Sequence, residues 1–285
     1  MSTGMMSIRE HIDELRSRML RIIISVMIIT IFSMSFGIKA FTLYYPMVDN
    51  NNNNNSSNGI QLFYPYPDPF NNVAIQVTSF MEKTLLPQEV KLIQTAPGQA
   101  FFAQVYVSAL IGVICSIPII TKEIFGFISP AIGNKTKKFG MINVFLPIVS
   151  LFIIGIIFSY IVVIPFTLNF LYKYGQAIGV ATFLNINDFI SFVLQFFLGF
   201  GIAFELPIIM YAIALTDLID TRFWRNNFRY AALVLVIFGA IITPDGSGIT
   251  MWFVAGPMIT LYLLGMVAIE RRDKLRRRGA GILVS

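Results

Sequence analysis

Only 15 of the 285 residues are Asp or Glu, and three of these, Glu10, Asp13 and Glu14, lie almost side by side. They belong to the segment Ser7-Ile8-Arg9-Glu10-His11-Ile12-Asp13-Glu14-Leu15-Arg16-Ser17-Arg18. Ile8, Ile12, Leu15 and Met19 recur at helical spacing, which predicts a helix with one apolar stripe and its charges on the other faces. Ser7 and Glu10 form a capping box at its start. With Asp13 beside Glu14 and Glu10 one turn earlier, acid gathers on one side of that helix. A carboxylate takes a guanidinium through two parallel hydrogen bonds, so an Arg-bearing ligand suits this surface. The same residues also suit intrahelical pairs, Glu14 with Arg18 and Asp13 with Arg16. Spacing alone leaves both readings open.

A second acid stands in a more costly place. Glu205 interrupts the run Phe200-Gly201-Ile202-Ala203-Phe204 and is followed by Leu206-Pro207. A carboxylate there costs a few kcal/mol unless it is protonated or faces a polar cavity. It marks an intramembrane site that binds a polar partner or carries a proton. The structural alternative is a protonated carboxyl bonded to carbonyls freed by Pro207. Asp245, between Thr243-Pro244 and Gly246-Ser247-Gly248, reads as a turn-forming residue.

Much chemistry is excluded. His11 is the single histidine and Cys115 the single cysteine, so the chain carries neither a Ser-His triad nor a histidine or thiolate metal site within a bundle. The stretch Gly133-Asn134-Lys135-Thr136 lacks the adjacent Gly-Lys of a nucleotide-binding loop. Any energy for transport must come from elsewhere, and no enzyme activity or cofactor is expected. The Arg276 to Arg278 cluster beside the last apolar run fits a topology signal or an anionic-lipid contact, and a nucleic-acid partner is set aside.

The elements that carry these residues follow from composition. Apolar residues make up 56% of the chain and charged ones 13%, as in an integral membrane protein. Six apolar segments, about 19–41, 99–120, 141–165, 188–213, 230–243 and 250–269, predict an all-α membrane protein of six transmembrane helices in a single domain. The segment 7–18 is an interfacial helix and 270–285 a basic tail. Of the 21 Lys and Arg, all but Lys39, Lys83, Lys91 and Lys173 fall on the side of the termini, which puts both termini in the cytoplasm. The fifth segment, about 14 residues and roughly 21 Å, is shorter than a hydrocarbon core of about 30 Å. Pro118, Pro207 and Gly256-Pro257 predict kinks and a concave bundle. The outer loop 43–97 holds a low-complexity insert, Asn50 to Gly59, in which Asn54 and Asn55 begin sequons; a tolerated polar insertion is the preferred reading. Val73, Ile75, Val77, Phe80, Met81 and Leu85 suggest a helix on the outer surface.

Taken together, the motifs resemble the TatC family, the polytopic subunit of the twin-arginine protein translocase. His11-Ile12-Asp13-Glu14-Leu15-Arg16-Ser17-Arg18 is similar to the family's H-L-x-E-L-R-x-R opening, and Pro46 falls where the family has a proline after its first span. Phe125-Gly126-Phe127-Ile128-Ser129-Pro130-Ala131 is similar to the first cytoplasmic loop. Phe158-Ser159-Tyr160, Phe200 to Pro207 and Thr243-Pro244-Asp245 match in order. The resemblance implies a receptor that recognises paired arginines in signal peptides and exports folded proteins with the proton-motive force. It works with single-span partners of the TatA and TatB type in a multi-copy complex, in a prokaryotic cell membrane or an organellar one.

By the same resemblance, Glu14 contacts the arginine pair, Arg16 and Arg18 help to form that site, and Phe127 and Pro130 shape its loop. Glu205, Thr243 and Pro207 lie on the intramembrane surface used by partners. The chain departs from the family where a second loop glutamate is expected, since residues 133–138 are basic and would repel an arginine pair. Asp13, Glu10 or Glu123 is the candidate replacement. The turn at Asp245 also has one proline where the family has two. The rival reading is a proton-coupled small-solute transporter with Glu205 as coupling site, which predicts an inverted repeat that the chain lacks.

Overall fold

The computed structural model describes residues 8–44, 59–87, 89–132, 141–179, 182–215, 219–243 and 248–282. No Pro or Gly occurs between Ile8 and Ser35, and the amphipathic opening and the first apolar run form one helix, α1 (Ile8–Ser35). The 7–18 segment is therefore the first part of a span's own helix rather than a separate interfacial one. The helix stops at Ser35, six residues before the end of the apolar run. Phe36 to Phe41, rich in aromatic and β-branched residues, go instead into strand β1 (Phe36–Tyr44), antiparallel to β2 (Gly59–Pro67). Gly37 makes this possible, because a Cβ there would stand 2.1 Å from Asn71 O.

After the ribbon, α2 (Val73–Leu85) buries Ala74, Met81 and Leu85 against the bundle. Asn72 caps it: Oδ1 accepts from Ile75 N at 2.9 Å, while Nδ2 donates to Met34 O at 2.8 Å and ties α2 to the end of α1. Strand β3 (Lys91–Ile93) precedes α3 (Gln99–Ile132), and β4 (Phe183–Asn185) precedes α6 (Ile186–Phe204). The two strands pair in parallel, so α3 and α6 start at the same end of the molecule and run side by side.

Between them lie α4 (Met141–Phe158), a π turn at Ser159–Val163, and α5 (Ile164–Ala177). Pro165 lacks an N–H and would leave a carbonyl unpaired one turn earlier. The wider turn absorbs the mismatch, with Ile164 N donating to Ser159 O and Thr167 Oγ1 to Val163 O at 2.8 Å. Helix α6 carries the core, with Phe189, Phe196 and Phe200 fully buried against α3 and α4. Gly155 of α4 permits that contact, since a Cβ would lie 2.6 Å from Phe200 O.

The chain ends with α7 (Leu206–Leu215), α8 (Thr221–Asn226), α9 (Phe228–Ile242) and α10 (Gly248–Ile282). Among the described residues five helical stretches are long and apolar enough to cross a membrane; the fifth apolar segment, 230–243, forms the shorter α9. The expected kinks are not equal. Helix continues through Pro118 and Pro257, and only Pro207 coincides with a break, between α6 and α7 at Glu205. Helix α10 runs on into the basic tail and is strapped to α8: Tyr262 OH donates to Trp224 O at 2.8 Å, and Thr221 donates to Asp273.

Candidate functional site

Where α1 enters the bundle it lies along α3, and the start of α1 meets the last turns of α3. Arg18 reaches across this crossing. Its Nη2 and Nε donate to Glu14 Oε1 at 2.6 and 3.0 Å, one helical turn back. Its Nη1 donates to Glu123 Oε2 at 3.2 Å and to Glu123 O at 3.3 Å. Arg21, one turn further on, brings Nη2 within 3.0 Å of the same Glu123 oxygen. Two carboxylates from different helices thus converge on one guanidinium, with a second guanidinium on the outer side.

Packing enforces this arrangement. Glu123 is 8% exposed, and Glu14 Oε2 is buried without a hydrogen-bond partner among the described residues. A Cβ on Gly126 would lie 2.4 Å from Arg18 Nη1, so glycine makes room for the guanidinium. Beside it His11 stacks on Phe127, with ring centroids 4.5 Å apart and planes 20° from parallel. Each guanidinium–carboxylate contact here is charge-assisted, and removing Arg18 would take from Glu14 the one salt-bridge partner it has among the described residues.

Glu205 sits at the α6–α7 break, half-buried, with Oε1 buried and unpartnered among the described residues. Its N–H bonds to Ile202 O, and its carbonyl accepts from Ile209 N at 2.9 Å, so the helix resumes after Pro207. Thr243 is buried at the end of α9, with its hydroxyl donating to Gly239 O at 3.0 Å. Ile242, the neighbour of Thr243, fills the space over Gly199, six residues before Glu205 in the chain. Among the described residues no cluster of His, Cys, Asp and Glu could hold a metal ion.

The family profile described as Sec-independent protein translocase protein (TatC) matches residues 10–257. A TatC of Cenarchaeum symbiosum is 49% identical over 97% of this chain and 98% of its own length. The chain belongs to the TatC family. A TatC of Aquifex aeolicus is 32% identical over 66% of this chain and 80% of its own length. A crystal structure of the twin arginine translocase receptor TatC superposes with a TM-score of 0.71 at 27% identity, covering 92% of this chain and 98% of that one. A TatC membership favours the translocase reading over the solute transporter.

Within this TatC fold the other expected residues scatter. Asp13 and Arg16 are exposed on α1, away from the Arg18 crossing. Pro130 lies near the end of α3, while Pro46, Asp245, the Asn-rich insert and residues 133–138 fall outside the described residues. Tyr160 hydrogen-bonds Thr84 and faces Phe80 and Phe197, a bracing contact between α2, the π turn and α6. Sequence reasoning passed over Arg21, Gly126 and the His11 stack. Arg21 had a signal, its i+3 spacing from Arg18 on a helix that already carried the acids.

Proposed function

We propose that this protein is the signal-peptide receptor of a Sec-independent translocase and that Glu14 and Glu123 together bind the arginine pair of a cargo signal peptide. What carries the reading is the convergence of the two carboxylates on the single guanidinium of Arg18. An arginine from a peptide meets there the same acceptors that Arg18 now uses. Glu123 then takes the part of the second acid that the basic 133–138 stretch cannot supply.

Exchange governs the affinity. Two arriving arginines add two positive charges to a cluster that Arg18 and Arg21 already neutralise, so one resident cation must give way. Arg21 is the one that leaves, because its side chain is 55% exposed and can swing out to solvent. Trading Arg21 for the first peptide guanidinium is nearly neutral in Coulomb energy, so the second must find an acceptor of its own. Net affinity therefore comes from the unspent acceptor Glu14 Oε2 and from the apolar His11–Phe127 surface beside it.

In this reading both termini face the cytoplasm, in keeping with the Lys and Arg distribution, and α9 is the short fifth of six spans. The membrane is a prokaryotic cell membrane. Glu205, Pro207 and Thr243 form the intramembrane surface for single-span partners of the TatA and TatB type within a multi-copy complex. The proton-motive force drives transport, and the chain acts as receptor and scaffold rather than as a catalyst.

The test is direct binding of a twin-arginine signal peptide to the protein in lipid nanodiscs, against the same peptide with a Lys pair. Glu123→Gln should weaken the twin-arginine peptide strongly, while Asp13→Asn and Glu10→Gln leave it nearly unchanged. Full affinity in Glu123→Gln would overturn the assignment of the second carboxylate.

A further inference from the structure

The β1–β2 ribbon springs from α1 with no linker, Phe36 following Ser35 directly. Its return end is tied to the same point, because Asp68 N donates to Ser35 O at 3.2 Å. Gln76 Nε2 braces it from α2 by donating to Ile38 O at 3.1 Å. Side chains of directly opposed residues in a ribbon share a face. Phe41, Leu62, Tyr64 and Tyr66 thus line one face with Lys39, while Ile38 and Phe63 lie on the other. Both faces are open, Phe41 being 54% and Phe63 69% exposed.

A two-stranded hairpin with apolar side chains on two solvated faces is not stable alone in water, so both faces need cover. A protein laid on one face would leave the other bare. Pairing at the β2 edge is also blocked, since Pro65 and Pro67 lack the N–H donors that a further strand would use. Lipid covers both faces at once. The depth follows from the span below: from Met19 to Ser35 the helix rises roughly 25 Å, less than a hydrocarbon core of about 30 Å. The ribbon therefore begins at the hydrocarbon boundary. Its unpaired outer edges keep it out of the hydrocarbon itself. At the headgroup boundary Phe and Leu bury while Tyr hydroxyls reach water. Lys39 needs no lipid partner there, being 4.0 Å over the Tyr66 ring and 3.9 Å from Asp68.

We propose that the β1–β2 ribbon is an interfacial anchor, immersed in the lipid headgroup layer at the membrane face opposite the Glu14–Glu123 site. It fixes the height and rotation of α1, the helix that carries Glu14 and Arg18.

Nitroxide labels at Phe41→Cys and Phe63→Cys, in a Cys115→Ser background, test this in phosphatidylcholine–phosphatidylglycerol vesicles at high lipid-to-protein ratio. Both positions should collide several-fold more often with oxygen than with a water-soluble nickel complex. Preference for nickel at either position, or shielding from both reagents as under a second copy, would overturn the proposal. If the cysteine variants fail to insert, the unaltered chain is irradiated with a photoactivatable phospholipid. Adducts within 36–44 and 59–67 are expected, and adducts confined to the spans would overturn the anchor equally.

Discussion

Glu123 and Glu205 are both acids withdrawn from water in a protein that otherwise faces lipid, yet their surroundings are opposite. Glu123 has two guanidinium groups within 3.2 Å and lies at a crossing of two helices. Glu205 lies at a break in one helix, has no salt bridge among the described residues, and keeps an unpartnered oxygen. In the proposed reading the first is a site preassembled by its own cations, so its shape exists before a ligand arrives. The second has no counter-charge among the described residues, and a polar group from another molecule is what would satisfy its open oxygen.

The comparison is broken most easily at the paired site. Glu14→Gln combined with Glu123→Gln removes both acceptors and leaves Arg18 and Arg21 without carboxylates. Losing one partner of a buried, hydrogen-bonded charge pair costs about 2–5 kcal/mol. Twin-arginine peptide affinity should fall at least about 30-fold by that estimate, and the melting temperature should fall with it. Titration of the peptide into nanodiscs measures the first and a thermal melt the second.

Glu205→Gln should do the reverse. The amide keeps the size and removes only the charge, so peptide affinity and melting temperature stay at the parent values. Export of a twin-arginine reporter should drop about tenfold, the loss of one charge-assisted contact of about 1.5 kcal/mol to a partner. A Gln variant with full export would return Glu205 to a purely structural role; one that lost peptide affinity would erase the distinction between the two sites.

Gly126→Ala sharpens the paired site further. The new Cβ would meet Arg18 Nη1 at 2.4 Å, and the guanidinium must slide off Glu123. Alanine in place of glycine within α3 gains about 0.8–1 kcal/mol of helix propensity, which offsets the lost contact. Stability should thus change little while peptide affinity shifts about fivefold downward, an effect of about 1 kcal/mol. Parallel losses of both would show that Gly126 serves the helix rather than the clamp.

Sequence pattern made the spans, the acidic helix and Glu205 legible, because apolar periodicity and an acid in a long apolar run are local signals. It could not separate helix from strand after Ser35, where Phe36 to Phe41 continues the apolar run. Only the pairing with residues 59–67, and the fit of Gly37 under Asn71, settles that segment. Helix continues through Pro118 and Pro257, where kinks were expected, and of these prolines only Pro207 stands at an interruption. The Arg18–Glu123 contact joins residues far apart in the chain, and nothing short of tertiary packing places an acid from α3 beside the opening helix.

The weakest expected effect tests that last contact most sharply. Asp13 is next to Glu14 in the chain, but the helix turns it outward, where it is exposed and without a salt bridge among the described residues. Solvent and salt screen such a charge over about 8–10 Å, so its pull on an incoming arginine is a few tenths of a kcal/mol. Asp13→Asn should therefore change peptide affinity by less than about twofold at physiological salt, and somewhat more at low salt. A tenfold loss at physiological salt would mean that the peptide docks on the outer face of α1. The second carboxylate would then be Asp13, and the Glu123 cluster only a brace between two helices.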